Sequence, residues 1–456
     1  MTKSNPSPHP FKSKPHRTLL ALSIPVLISM TAEPLLALVD TGFISSLGVE
    51  PLAALGVGTT ALSGLFWIFN FLSIGTQTEV AQVQGKGLPQ ETRKIVSLGL
   101  ILAFSFGILL IFLISPAAGW LGELLGASGV VLSYAKEYMQ IRLFGAPAVL
   151  MMLVTFGAMR GLQDMRTPLW IALGVNALNL VLDWILIFGI GPITAMGVAG
   201  LALASTISQW IGAIAGLIIL SKTIGLTIAL KFKDAKKLLQ VGGDLFIRTA
   251  LINLFLGYIT RVANGFSADA GAAHQVIRQV YLFTSLALDA YASTVQSLVG
   301  YFIGQDSVKW AKQVVKVGAQ WALGTGIVLG AGMWLGRDLI TALLVPASAV
   351  AVFLPAWGIS AMSQPLSGLA FLTDGTHWGT GDYAYLRNAM IVAFVIGATG
   401  IFFVSNAEFD GLSWIWAVTG VWIFIRALFG MLRIWPGIGN SIFKNSLPKV
   451  SNCNLF

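Results

Sequence analysis

Charged residues are scarce in this sequence, and that scarcity excludes an ordinary soluble protein. Only 10% of the 456 residues are Asp, Glu, Lys or Arg, while 56% are hydrophobic and the mean hydropathy is +0.80. A soluble globular domain carries about 25% charged residues. Apolar runs approaching the ~20 residues that span a bilayer recur through the chain, and we count about twelve of them. The composition therefore predicts an integral membrane protein.

Cysteine and histidine are also scarce, which removes most catalytic and metal-binding arrangements. The single cysteine, Cys453, cannot form a disulfide within the chain. Four histidines are present, and no HExxH or other paired-ligand spacing occurs among them. The GxxxxGK[ST] loop of nucleotide-driven pumps is missing as well. We therefore expect neither an enzyme nor a protein with a cofactor or resident metal, and we expect any transport to be driven by an ion gradient.

Basic residues alternate between the loops that connect the apolar runs. They precede the first run and follow the even-numbered runs, whereas Arg337 is the clear exception after an odd-numbered run. By the positive-inside rule, both termini are cytoplasmic and the number of helices is even. The formal charge of +9 follows topology rather than one patch, so we expect no nucleic-acid partner. We expect a multi-pass protein of the cell inner (cytoplasmic) membrane.

The chain repeats itself with an offset of 219 residues. This offset places residues 53–56 on 272–275 and residues 84–85 on 303–304, in each case before a basic loop. Asp164 and Asp374, 210 residues apart, are interpreted as corresponding ends of even-numbered helices. We predict an all-α membrane protein of twelve transmembrane helices in two six-helix lobes related by pseudo-two-fold symmetry. The predicted parts are an N-terminal tail 1–17, an N-lobe 18–220, a cytoplasmic linker 221–237, a C-lobe 238–433 and a C-terminal tail 434–456.

Two acidic residues lie inside apolar runs, Asp40 in residues 24–47 and Asp183 in residues 169–190. A charged group near the bilayer centre costs roughly 2.5–3.5 kcal/mol on insertion scales, so its presence indicates a function. Asn176, Asn179 and Asp183 fall on one stripe of a helix, which suits a cavity or packed interior. The pattern predicts an ion-driven carrier. Structural acids hydrogen-bonded across helices are the alternative interpretation.

Further polar and apolar residues are candidates for the substrate cavity. The second half does not duplicate Asp40, which corresponds to a position near Ile259. Asp289 is interpreted as a cavity residue or as a packing residue paired with Arg278 or Arg261, and Asp244 with Arg248 as a local surface pair. Glu33 either joins a proton relay or caps a kink. The cavity candidates are Glu33, Asn70, Met151, Phe156, Asn253, Arg261 and Asp289.

Several stretches resemble the multidrug and toxic compound extrusion (MATE) transporters, and the DinF-like branch in particular. The resemblance rests on residues 25–48 with the tract 75–87, and on residues 176–183 followed by 188–189 and 197–202. It implies that Asp40 binds the coupling cation, with Asn179 and Asp183 as partners. Ser205 falls where many relatives have a threonine, and it keeps the hydroxyl. The C-terminal acids of some other branches are not evident.

The resemblance implies a cation-coupled antiporter that exports organic, often cationic or amphipathic, compounds. The coupling ion is expected to be a proton, with a sodium ion at Asp40, Asn179 and Asp183 as the alternative. Pro34 cannot donate to the carbonyl of Met30, so the first helix has a point at which it can bend. A flippase for lipids or lipid-linked sugars is the alternative function. Besides the organic substrate, we expect only membrane lipids as partners, and a monomer.

Overall fold

The computed structural model describes residues 9–227, 232–406 and 411–446, and over these residues it contains helices and no strands. The helices of the first half are Pro10–Ser13, Pro15–Ser45, Val49–Ile68, Phe71–Lys86, Pro89–Ile114, Ala118–Leu124, Gly129–Leu143, Ala146–Gly161, Arg166–Phe188 and Gly197–Thr223. Those of the second half are Phe232–Phe266, Ala268–Gly304, Val308–Leu335, Arg337–Leu344, Val350–Thr380, Tyr383–Ser405 and Gly411–Ile434. Short 3-10 helices cover Ala347–Ala349 and Ile442–Ser446.

Ten of the described helical segments are long and apolar enough to cross a bilayer. An eleventh crossing is a broken one, because Gly129–Leu143 and Ala146–Gly161 pass the same test together with a bend of 50° between them. The helix Ala268–Gly304 has 37 residues but is more polar, and its buried residues include His274 and Gln296. These segments correspond one by one to the twelve predicted runs. The all-helical membrane fold is therefore confirmed.

The chain folds as two compact units. The N-terminal unit comprises Leu22–Phe246, and the C-terminal unit combines Ile247–Phe456 with Met1–Ala21. The boundaries fall inside helices, after Ala21 in Pro15–Ser45 and after Phe246 in Phe232–Phe266. The predicted linker 221–237 lies partly outside the described residues, as do parts of both predicted tails. Each unit buries its own apolar core, including Leu72, Leu150 and Leu201 in the first and Phe255, Trp357 and Trp422 in the second.

The internal repeat reappears as matched backbone contacts within each unit. A Cβ at Gly161 would lie 2.7 Å from the Gln77 carbonyl oxygen, and one at Gly379 would lie 2.6 Å from that of Gln296. Gln77 and Gln296 are 219 positions apart, and Gly161 and Gly379 are 218 apart. Only glycine permits such close helix approach, so the same packing constraint occurs in both units. Further matched contacts join Gly107 to Pro147 and Gly326 to Pro365, and Gly216 to Thr155 and Gly430 to Thr373.

The matched contacts correct one assignment made from sequence. Asp164 follows the end of Ala146–Gly161, as expected, and its carboxylate accepts hydrogen bonds from the amides of Arg166 and Thr167 at 3.1 and 3.0 Å at the start of the next helix. Its counterpart at the 218-residue offset is Asp382, at the start of Tyr383–Ser405. Asp374 instead lies inside Val350–Thr380 and is buried. The pairing of Asp164 with Asp374 as helix ends was therefore wrong for Asp374.

Candidate cation site of the N-terminal unit

The structure brings Asp40 and Asp183 together from helices that are far apart in the sequence. Asp40 lies in the last turns of Pro15–Ser45 and Asp183 in the last turns of Arg166–Phe188. Their carboxyl groups are within hydrogen-bonding reach of each other. Asp183 has no exposed surface and Asp40 is half-buried. The two acids that stood out in the sequence thus form one pair.

No donor group of the described residues satisfies this pair. Asp40 Oδ1 and both carboxylate oxygens of Asp183 are buried and receive no hydrogen bond from a protein N–H or O–H in that part of the chain. Buried carboxylates are normally paired or hydrogen-bonded, because an uncompensated charge is costly in a low-dielectric interior. Two carboxyl groups can hydrogen bond to each other only when one of them carries a proton. The arrangement therefore suits a proton or a small cation shared between the two acids.

A basic residue that the sequence analysis did not single out completes this cluster. Arg142, in the last turn of Gly129–Leu143, exerts its charge on both carboxylates. Its Nη1 donates to Gln209 Oε1 at 2.6 Å, and it is within hydrogen-bonding reach of the Tyr138 hydroxyl. The signal was available in the sequence, since Arg142 is an ionisable residue inside an apolar run, like Asp40.

The predicted partners Asn179 and Ser205 meet at the edge of the cluster. Asn179 lies one helical turn before Asp183 and is 2% exposed. Its Nδ2 approaches Ser205 Oγ at 3.5 Å, which is the outer limit of a hydrogen bond. Asn176 is half-buried one turn earlier on the same helix. Among the described residues, no group of three or more His, Cys, Asp or Glu side chains is placed to hold a metal ion.

Pro34 and Glu33 occupy the same helix as Asp40, six and seven residues before it. The helix Pro15–Ser45 continues through both Pro25 and Pro34, so the missing amide of Pro34 does not end it. Thr31 donates its hydroxyl to the Leu27 carbonyl at 3.0 Å, just before the proline. Glu33 is exposed on the surface of the unit, whereas the acid pair is inside. A role for Glu33 in a proton relay therefore stays a prediction.

Comparison with known proteins identifies the family. The MatE family model matches residues 25–185. Protein DETOXIFICATION 45, chloroplastic, of Arabidopsis thaliana is 30% identical over 455 residues, covering 92% of this chain and 78% of the relative. DNA damage-inducible protein F of Escherichia coli (strain K12) is 29% identical over 392 residues, covering 84% of each chain. The chain belongs to the MATE family.

A solved MATE structure has the same fold. The crystal structure of MATE in the bent conformation superposes with a TM-score of 0.85 at 21% identity, covering 92% of this chain and 96% of the other. The similarity to the Escherichia coli relative is consistent with the DinF-like branch. MATE proteins are membrane transporters of small molecules rather than enzymes. The predicted family and the two-lobe fold class are both confirmed.

The remaining cavity candidates of this MATE protein are dispersed in each unit. In the N-terminal unit, Asn70 lies at the break between Val49–Ile68 and Phe71–Lys86, Met151 is buried, and the half-buried Phe156 ring lies 6.0 Å from the Arg160 guanidinium carbon. In the C-terminal unit, Asn253 and Arg261 are exposed on the surface and Asp289 is half-buried. Asn70, Met151 and Phe156 do not lie on either of the helices that carry Asp40 and Asp183.

The C-terminal unit contains a buried ion cluster that the sequence analysis misassigned. Asp374 Oδ2 accepts hydrogen bonds from Arg248 and from Arg426, the latter at 2.8 Å. Arg426 also lies 4.6 Å from the centre of the Trp422 ring. Arg248 is only 6% exposed and donates to Asp374, a partner that its spacing from Asp244 did not predict. Asp289 also exerts its charge on Arg248, and its predicted pairing with Arg278 or Arg261 stays a prediction.

Proposed function

We propose that this MATE protein is a proton-coupled antiporter that exports organic compounds by alternating access. The observation that carries the proposal is the buried contact between Asp40 and Asp183 without protein donors. Such a pair binds one cation when it faces one side of the membrane and releases it when it faces the other. The cation's differential affinity for the two conformations then drives the cycle.

The proton is preferred over sodium because of the geometry of the pair. A proton needs only two oxygens, and two carboxyl groups in hydrogen-bonding reach offer them. Hard metal cations prefer several oxygen ligands. Here Asn179 directs its amide nitrogen toward Ser205, which leaves only its Oδ1 as a further oxygen ligand for a metal cation. Sodium at Asp40, Asn179 and Asp183 remains the alternative to be tested.

The remaining features of the proposal concern the substrate and the moving part. We propose organic, cationic or amphipathic substrates, a monomeric transporter and a position in the cell inner membrane with cytoplasmic termini. Cation loading would favour a bent or displaced first helix, with Pro34 as the position that absorbs the bend because its helix lacks one backbone hydrogen bond there. Bending or displacement of the first helix would reduce the volume available to substrate in the N-terminal unit.

A flippase for lipids or lipid-linked sugars is a second candidate, favoured by one observation. The C-terminal unit buries Arg248, Arg426 and Arg433. Arginine is well suited to binding phosphate groups. Two of these residues are already engaged by Asp374 and the third donates to Asp382 at 2.7 Å. The antiporter is preferred because these guanidinium groups already have acidic partners.

Purified protein in sealed vesicles, with pH and sodium gradients imposed independently, tests the function. We expect efflux of a fluorescent organic cation under a pH gradient alone, and near-complete loss of that efflux in Asp40→Asn and Asp183→Asn. Asp338→Asn is the control, because its carboxylate pairs with Arg337 in an exposed position. Normal export by Asp40→Asn, or efflux that follows sodium alone, would refute proton coupling. Exposure of labelled lipid without dye efflux would support the flippase instead.

A further inference from the structure

Arg142 is held in place beside the acid pair by contacts of its own. One guanidinium nitrogen donates to Gln209 on Gly197–Thr223, and the Tyr138 hydroxyl lies one turn earlier on the same helix as Arg142. Tyr138 is 5% exposed, and its ring packs directly against Gly58. Arg142 Nε is buried and has no acceptor within the described part of the chain. The guanidinium therefore acts on both carboxylates through its charge, and it forms no direct ion pair with either of them in the described part of the chain.

The charges of this cluster do not balance without a mobile ion. Asp40 and Asp183 contribute two negative charges when ionised, and Arg142 contributes one positive charge. We propose that Arg142 is the fixed countercharge of the acid pair and limits its capacity to one monovalent cation per transport cycle. This inference rests on the proposed antiport function and deepens it, because it assigns the stoichiometry to a specific residue.

The internal repeat supports treating the three charges as one device. Asp40 corresponds to Ile259 at the 219-residue offset, and Arg142 and Asp183 correspond to Ser360 and Ile401 at the 218-residue offset that relates Pro147 to Pro365 and Asp164 to Asp382. All three counterparts are neutral and completely buried in the C-terminal unit. The unit that lacks the acids therefore also lacks the arginine. An arginine present only for packing or for membrane topology has no reason to follow the acids in this way.

The local backbone differs between the units at the same position. Arg142 lies in the last turn before the break between Gly129–Leu143 and Ala146–Gly161, where the bend is 50°. The corresponding residue Ser360 lies inside the continuous helix Val350–Thr380. The carbonyl groups at the end of a helix carry partial negative charge, which stabilises a nearby cation. The break therefore helps to keep a charged guanidinium inside the unit.

Other charged side chains near this helix do not act on the pair. The charged groups that act on each carboxylate are the other carboxylate and Arg142. The remaining charged side chains are Lys136 and Glu137 on the same helix, Arg17 and Glu33 on the helix of Asp40, Arg166 on that of Asp183, Arg160 beyond the break, and Glu50, Glu91, Arg93, Lys94, Glu123 and Lys222 on the helices packed against it. Arg142 is thus the basic residue that sets the charge of the site.

Direct counting of protons on the purified protein tests the inference. After a rapid pH change, proton binding is measured with an indicator dye, together with the pH dependence of dye efflux in vesicles. We expect one proton per parent molecule. Arg142→Gln should bind two, with the pH midpoint of efflux moved upward by about one unit or more, because a neighbouring cation no longer favours the ionised acids. Arg142→Lys should retain one proton, and the exposed Arg166→Gln should match the parent.

A charge-balanced pair of variants keeps the test decisive if Arg142→Gln alone folds poorly. In Asp183→Asn, the negative charge of Asp40 is balanced by the positive charge of Arg142. The site is then neutral without a bound proton, so proton uptake should be lost. Adding Arg142→Gln to Asp183→Asn restores one net negative charge, and uptake of one proton should return. Parent-like proton counts and pH profile in Arg142→Gln, or no return of uptake in the double variant, would overturn the role of Arg142. Normal export by Asp40→Asn in the same series would instead refute the antiport function.

Discussion

Both units bury acidic side chains, but the two units differ in how many basic groups and hydrogen-bond donors surround those acids. In the C-terminal unit, Asp374 accepts hydrogen bonds from two arginines, and Asp289 also acts on one of them, so each carboxylate has a fixed positive charge to match it. In the N-terminal unit, Asp40 and Asp183 face each other with one arginine nearby and no donors among the described residues. The first cluster is satisfied by the protein itself, whereas the second is incomplete until a cation binds.

This difference shows that burial alone does not indicate function. A buried acid with enough fixed donors stays ionised and contributes to the structure, and removing one partner leaves uncompensated charges. A buried acid short of positive charge must take up a proton or an ion, and its occupancy then depends on the solution it faces. The number of fixed cations per carboxylate therefore separates the structural cluster from the candidate coupling site. The following predictions test this distinction, beginning with the largest expected effect.

The largest effect is expected when the three charged residues of the N-terminal site are replaced by the neutral residues found at the corresponding positions of the C-terminal unit. The triple variant Asp40→Ile, Arg142→Ser and Asp183→Ile reproduces Ile259, Ser360 and Ile401, and should abolish pH-driven export completely. Replacing a buried ionic cluster by apolar residues is often neutral or stabilising by about 1–4 kcal/mol, so the melting temperature should not fall. Thermal unfolding in detergent and dye efflux from vesicles measure the two effects. Residual pH-driven export would mean that coupling resides elsewhere.

Removing the central acid of the C-terminal cluster should affect stability instead of coupling. Asp374→Asn leaves Arg248 and Arg426 without their shared carboxylate, and we expect destabilisation by about 3–5 kcal/mol. The folded fraction after solubilisation and the melting temperature should fall, while the pH midpoint of the remaining export stays unchanged. Asp338→Asn, at an exposed pair, is the control and should have little effect on stability. A shifted pH midpoint in Asp374→Asn would assign this cluster to coupling as well.

The matched helix contacts predict equal sensitivity in the two units. A Cβ at Gly157 would clash with the Ser73 carbonyl, and one at Gly375 would clash with that of Ala292. Each glycine-to-alanine substitution should therefore destabilise the protein by about 1–3 kcal/mol through overpacking. A Cβ at Gly324 would meet no atom within 4 Å, so Gly324→Ala is the control. Melting temperatures measure all three, and a large difference between Gly157→Ala and Gly375→Ala would show that the repeat is not equivalent mechanically.

The smallest effect is expected at the edge of the acid pair. Ser205→Ala removes a contact of 3.5 Å with Asn179, which is too long for a strong hydrogen bond. We expect a loss of stability below about 1 kcal/mol and a modest reduction in export rate without a shifted pH midpoint. Ser205→Thr, which keeps the hydroxyl, is the matched control. Complete loss of export in Ser205→Ala would indicate that the hydroxyl binds the cation directly.

The predictions made from sequence succeeded where a local pattern carried the information. Apolar runs of sufficient length predicted the helical membrane fold, and isolated acids in two of these runs marked Asp40 and Asp183. The 219-residue repeat was also visible from the alignment of residues 53–56 with 272–275 and of 84–85 with 303–304, and matched helix contacts at glycine positions support it. Arg142 was overlooked although it lies in an apolar run, since it stands near Lys136 and Glu137 and so resembles a helix end.

The failures arose where spacing changes or where partners are distant along the chain. The repeat offset is 219 residues between Gly107 and Gly326 but 218 residues between Pro147 and Pro365. Without the contacts, Asp164 was matched with the wrong aspartate. Arg248 donates to Asp374, which is 126 residues away, and only the acidic residue four positions earlier had been considered as its partner. Local spacing cannot reveal such pairs, because helix packing decides which faces meet.

The sequence by itself determined that this protein lies in a lipid bilayer, that it is helical and that it contains an internal repeat. It also identified the two acidic residues that are unusual in an apolar segment. Those properties follow from the free energy of placing each residue type in a bilayer, which is a local quantity. Only the tertiary structure decided that the acids face each other, that Arg142 accompanies them and that Asp374 lies between two arginines. Electrostatic balance depends on distances between side chains, and those distances exist only after the helices have packed.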